Sequence, residues 1–166
     1  MIESFELKAI SKDAVGRAIE KAGHYRDLND PGPAESICRD ILAVDPDNHQ
    51  ARVILLLSLT DQFMSSGHSL VSEARACLEG LKDEYERAYY GGLIYEREGR
   101  AALTRQLASQ FAWGDLRHAM HLYEQAEKLR PPGNDDAILR WNSCVRVIER
   151  ENLQPPDDSP QELPLE

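Results

Sequence analysis

The chain has 166 residues, 42% of them hydrophobic and 29% charged, with a formal net charge of -10. Size and balance are those of one soluble domain with a real core, and the acidic excess excludes the cationic surface that nucleic acid requires. No apolar run approaches the roughly 20 residues of a membrane span. The longest strongly aliphatic run, Ile54 to Leu57, is bracketed by Arg52 and Asp61. The acidity serves solubility, and a basic partner is the sharper expectation it permits.

Residues 1–10 read as a short N-terminal segment in which Phe5, Leu7 and Ile10 could form a strand or an extra helical turn. Early acids and no long apolar region argue against a secretory signal. Ser11 is a candidate N-cap for a first helix reaching about Leu28, with Val15, Ala18, Ile19, Ala22 and Tyr25 as its apolar stripe. Asn29 to Pro33 is a turn. A second helix carries Ala34, Ile37, Cys38, Ile41 and Leu42 and stops at Asp45-Pro46. The third helix spans about Asp47 to Met64 and is apolar nearly all round, which implies deep burial. Ser65-Ser66-Gly67 breaks it, and a fourth helix covers about Ser69 to Lys82.

The fifth helix begins near Asp83 and meets no strong stop signal before Trp113-Gly114. Gly91, Gly92 and Gly99 lie inside it, where each glycine costs about 1 kcal/mol relative to alanine and so implies close approach of a neighbour. One long helix is the expectation. The sixth helix runs from about Asp115 to Leu129 and ends at Pro131-Pro132-Gly133. The seventh starts at the Asn134-Asp135-Asp136 cap and reaches about Asn152. Residues 153–166 form a proline-rich acidic tail, expected to be disordered. Residues 11–152 are thus one all-α domain.

Spacings within these helices repeat. Ala22-x2-Tyr25 is followed by Ala34-x3-Cys38-x2-Ile41-x4-Pro46, and Gly92-x2-Tyr95 by Ala119-x3-Tyr123-x2-Ala126-x4-Pro131. A weaker pair, Leu56-x2-Leu59 and Ala74-x3-Leu78-x2-Leu81, lies between them. The pattern resembles the tetratricopeptide repeat, a helical hairpin of about 34 residues with small residues at the helix crossing and a proline after the second helix. The resemblance covers about Val15 to Asn152. It implies a right-handed superhelix of about three hairpins plus a C-terminal capping helix. Ala22 to Ala34 keeps the expected spacing of about 12 residues, but Gly92 to Ala119 is 27. The excess is close to four turns of helix. It implies an elongated third hairpin, with its first helix lengthened and its turn moved to Gly114.

The resemblance also implies what the chain does, which is to hold another protein. A stack of such hairpins builds a concave surface from its first helices. In this register that surface carries Arg26, Gln50, Val53, Leu57, Tyr89, Tyr90, Leu93, Glu96 and Arg97, a groove for a peptide or helix of a partner unless the lengthened fifth helix folds back over it. Ile19, Gly23, Ile54, Leu57, Tyr90 and Leu93 stand where carboxylate-clamping repeats carry Lys, Asn and Arg, so a chaperone-tail receptor is not expected. The alternative is self-assembly, a homodimer through Leu103, Leu107, Phe111 and Trp113 on the extension, with Leu116 partly uncovered. No hydrolase, phosphate-loop or dinucleotide motif occurs, so neither catalysis nor a cofactor is expected. His118 and His121 share a helix face without the three or four ligands of a metal site. Cys38, Cys77 and Cys144 read as reduced core thiols, which points to a cytoplasmic setting.

Overall fold

A computed structural model describes residues 4–65 and 69–157. Residues 66–67 of the expected break and 158–166 of the acidic tail lie outside the described residues. Seven α-helices follow a 3-10 turn at Lys12–Ala14: α1 Val15–Asp27, α2 Pro31–Val44, α3 His49–Asp61, α4 Ser69–Glu79, α5 Glu84–Thr104, α6 Ser109–Leu129 and α7 Asp136–Arg150. There is no strand among the described residues, so the all-α expectation holds. Residues 4–10 form neither strand nor helix, and Phe5 and Leu7 are exposed.

Each helix packs on the next in sequence, and α1 also touches α3, as α3 touches α5. Two apolar clusters result. Ala22, Cys38, Leu56, Leu59, Phe63, Ala74 and Ile94 join α1 to α5. Leu116, Met120, Tyr123, Cys144, Val147 and Leu153 join α5 to α7. Helix α5 belongs to both, through Ile94 and Ala101 on one side and Ala88 and Ala102 on the other. Small residues are therefore needed along it. A methyl group on Gly92 would stand 2.6 Å from Cε1 of Tyr123.

The expected single helix to Trp113 is incorrect. Helix α5 stops at Thr104, α6 begins at Ser109, and Gly114 lies inside α6. The stop is a left-handed residue, Gln106 at φ 54. Its N–H reaches the Leu103 carbonyl at 3.1 Å, and the Leu107 N–H reaches that of Ala102 at 3.1 Å. This is the Schellman arrangement that commonly employs glycine. Arg105 adds a 2.6 Å hydrogen bond from its guanidinium to the Phe63 carbonyl, tying the turn to the end of α3. Both helices of this hairpin have 21 residues, so the extra length expected of the first helix alone is found in both.

Two further ends repeat the device. Asn29 at φ 59 closes α1, and Asn152 at φ 49 closes α7. At α7 the Leu153 N–H donates to the Ile148 carbonyl at 3.0 Å and the Leu153 side chain is buried. The first residue assigned to the tail is thus part of the core. Side-chain capping supplies other boundaries. Asn48 accepts from the Ala51 N–H at 2.9 Å, and Asp83 from the Glu86 N–H at 2.9 Å. Ser11 makes no side-chain cap; its carbonyl accepts the Ala14 N–H instead.

Candidate functional site

The odd-numbered helices share a face on which charged and aromatic side chains meet. Asp61, the last residue of α3, bridges two neighbours: Arg26 of α1 donates from Nε at 2.8 Å, and Arg97 of α5 approaches the other carboxylate oxygen at 3.3 Å. The residue before Arg97 on α5, Glu96, is fully buried. It accepts from the Tyr123 hydroxyl at 2.7 Å and from Arg100 Nε at 3.0 Å, with Arg140 of α7 at 3.5 Å. Arg100 also donates to the Ser143 hydroxyl at 2.8 Å. A buried carboxylate persists only when its oxygens are met by charge and donors, and these three residues meet them. Helices α1, α3, α5 and α7 are thereby linked side chain to side chain.

The carboxylates lie under the guanidinium groups. Asp61 and Glu96 are 15% and 1% exposed at the side chain, whereas Arg26, Arg97, Arg100 and Arg140 keep between 28% and 34%. On a chain that is acidic overall, this part of the face therefore presents arginine to solvent. Burial works against the charged Arg140, but Glu96 and Tyr89 outweigh it and hold its pKa above the ordinary value.

The N-terminal half of α5 is aromatic. Tyr85 and Tyr89 stack at 5.8 Å, Tyr90 stands edge-on to Tyr89 at 5.2 Å, and Tyr123 lies 6.0 Å from Tyr89. Burial, then the neighbouring Glu86, pushes the Tyr90 hydroxyl up to about 12. Burial and then Glu96 push Tyr123 higher still, so that buried hydroxyl donates to Glu96 as a neutral group.

Of the residues assigned to the groove, Arg26, Val53, Leu57, Tyr89, Tyr90 and Arg97 are half-buried, and Gln50 is exposed in the first turn of α3. Leu93 and Glu96 are corrections. Both are buried, because α5 is packed on two sides and these positions turn inward, Glu96 toward Tyr123. On the extension, Leu107 and Phe111 are 51% and 62% exposed. Leu103 and Trp113 are half-buried against the α5–α7 cluster, and Leu116, expected to be partly uncovered, is fully buried. Tyr95, the aromatic of the Gly92-x2-Tyr95 spacing, is half-buried and stacks on His118 at 5.1 Å beneath Arg75.

Sequence reasoning passed over Asp61, Glu86, Arg100, Arg140 and Ser143. The signal for one pair was present, since Glu96 and Arg100 stand four apart on a helix. The α3 and α7 members come from distant segments and carry no local signature. Burial raises all three thiols, to about 12 for Cys38 and Cys144, which makes them poor nucleophiles. Among the described residues no group of His, Cys, Asp or Glu has the makings of a metal site. His118 bonds within its own helix to the Gly114 carbonyl, and His121 to Gln125. No helix among the described residues is long and apolar enough to cross a membrane.

Among the described residues the architecture is all-helical, each helix packed on the next, with side chains of α1, α3, α5 and α7 joined on a shared polar–aromatic face. No protein-family model matches the chain, and neither the curated proteins nor the solved structures contain a match to it.

Proposed function

We propose that this chain is a helical-repeat interaction module of the tetratricopeptide kind, cytoplasmic and without catalysis, that holds a peptide or helix of another protein against the face of its odd-numbered helices. The observation that carries the reading is the linkage of that face. Arg26, Asp61, Arg97, Glu96 and Arg140 join four helices, with the two carboxylates beneath arginines that remain partly open to solvent. Internal stability alone does not call for this arrangement, because buried ion pairs are often no better than apolar packing. Preorganised arginine and tyrosine are, by contrast, the residue types that most often anchor protein interfaces. The sequential hairpin packing and the α1–α3–α5 contacts are those a repeat superhelix requires.

The test uses the purified chain as bait, with Tyr90→Ala and Leu57→Asp as comparison baits whose folding is checked by circular dichroism. A partner verified by titration against the wild type is expected to bind each variant at least about tenfold more weakly, the scale of a good anchor. Unchanged affinity for Tyr90→Ala would overturn the assignment.

A homodimer is the second reading. It is favoured by Leu107 and Phe111, two large apolar side chains exposed at the tip of the α5–α6 hairpin. Sedimentation of a monomer at high concentration would remove it. A dimer that Phe111→Glu dissociates would support it.

A further inference from the structure

Where α5 begins and α7 is entered, the surface opens into a cleft walled by Tyr85, Tyr89 and Tyr90 and edged by Asp83, Glu86 and Asp136. No lysine or arginine is among its lining residues. Cations beside it are turned to other work: Arg140 by Tyr89 serves Glu96, Arg26 by Tyr90 pairs with Asp61, and Arg130 pairs with Asp135. The planes of Tyr85 and Tyr89 are nearly parallel, 12° apart, while Tyr90 lies at 76° to Tyr89, so ring faces are presented in two directions. An aromatic face is the negative side of the ring quadrupole. Three such rings with three carboxylates make a concavity that attracts a cation.

Glu86 gives this attraction a point of attachment. Its Oε1 lies 3.1 Å from His49 Nε2, while its Oε2 is buried with no hydrogen-bond partner among the described residues. A buried acceptor without a donor is costly; the Glu86 side chain lines the cleft and is 25% exposed, so turning its carboxylate outward to an arriving donor relieves that cost. A guanidinium suits both features better than an ammonium does. It is planar, it stacks on aromatic rings, and it offers several N–H groups in a fixed fork.

We propose that this cleft is the anchor subsite of the interaction face and that it takes an arginine side chain of the partner, stacked on the tyrosines and donating to Glu86. The proposal rests on the interaction reading above and assigns the chemistry of one end of that face. The other end, with Arg97 and Arg100, carries the opposite charge.

The experiment is fluorescence anisotropy with labelled tetra-arginine, tetra-lysine and tetra-glutamate peptides at about 150 mM salt, where diffuse attraction is screened within about 8 Å. Tetra-arginine is expected to bind most tightly, with Glu86→Gln and Asp136→Asn each weakening it severalfold and the two together at least tenfold. Glu149→Gln, the same charge change on an exposed residue of α7, is expected to leave binding within twofold. The proposal is overturned if Glu149→Gln weakens binding as much as Glu86→Gln, if tetra-lysine binds as tightly, if tetra-glutamate is preferred, or if tetra-arginine does not bind. A verified partner separates this from the broader reading. Loss of that partner with Leu57→Asp but not with Glu86→Gln retains the groove and removes the arginine subsite. Indifference to both removes the groove as well.

Discussion

Gly92→Ala tests the packing at the centre of the molecule. The added methyl carbon would sit 2.6 Å from Cε1 and 2.8 Å from Cδ1 of Tyr123, where ordinary contact begins near 3.4 Å. The ring must therefore retreat by about 0.8 Å. Tyr123 is 0% exposed and its hydroxyl is held 2.7 Å from Glu96, so it has no free direction to move. Overpacking a core costs about 1–3 kcal/mol, and weakening a hydrogen bond to a charged acceptor adds about 1.5–3 kcal/mol. Helix propensity returns about 1 kcal/mol. The expected net loss is about 1.5–5 kcal/mol, read by urea denaturation, with a fall in Tm of roughly 3–20 °C. Gly114→Ala is the control. It lies in α6 with no atom within 4 Å of an added methyl, so it is expected to gain about 0.5–1 kcal/mol. In a Tyr123→Leu background the cost of Gly92→Ala should shrink, which a double-mutant cycle measures. A Gly92→Ala protein as stable as the wild type would refute the close approach of α5 and α6.

Three other perturbations probe separate features. Asp115 is pushed up to about 6, first by burial and then by Glu98. An acid whose folded pKa is raised penalises the fold only when charged, so stability falls as pH rises from about 4 to about 6. Asp115→Asn should raise Tm at pH 7 and do so far less at pH 4; an equal gain at both would count against the burial argument. Gln106→Gly should stabilise by about 1 kcal/mol, because glycine adopts the left-handed conformation without penalty, and a loss of stability in urea melts would sink the assigned α5–α6 turn. Glu96→Ala strips the partner from Arg100, Arg140 and the Tyr123 hydroxyl. Breaking such a pair costs about 3–5 kcal/mol, and since both guanidinium groups keep about a third of their exposure the low end is expected; a loss under about 1 kcal/mol in urea would contradict it.

The helices were readable because their stripes and caps are local. Asp83 and Asn48 cap as their side-chain chemistry dictates, and the small residues at Gly92, Ala119 and Ala126 mark a crossing that is indeed tight. The α5–α6 turn was misread for an equally physical reason. Glycine advertises a turn, and Gly114 did so from inside a helix, whereas Gly99 marks a close approach as expected. Gly99 is there because Leu116 and the Ala112 carbonyl pass within 3.2–3.3 Å of where a methyl would stand. The residue that turns the chain is glutamine, whose left-handed conformation is strained and is held by two carbonyls of α5 and by Leu107 beyond it. Sequence alone cannot distinguish a glycine that admits a neighbour from one that bends the backbone.

The face itself divides along the same line between local and distant determinants. Tyr89 and Tyr90 are adjacent in the chain, and their place on α5 follows from helical register. What makes that place informative comes from elsewhere: Asp136 opens α7, and His49 begins α3 and engages one oxygen of Glu86. The carboxylates are spread over the start of α5 and the start of α7, so no window of sequence contains the cleft. The same holds for Asp61, which ends an apolar helix and yet organises Arg26 and Arg97, residues 35 and 36 positions away on either side. A helical array of this kind places polar residues from every second helix side by side. Side chains that meet on such a face therefore come from the sequence at intervals set by hairpin length. Helices α5 and α6 have 21 residues each, longer than α1 to α4 at 11–14, and the tip of their hairpin leaves Leu107 and Phe111 exposed far along the chain from the tyrosines that open α5.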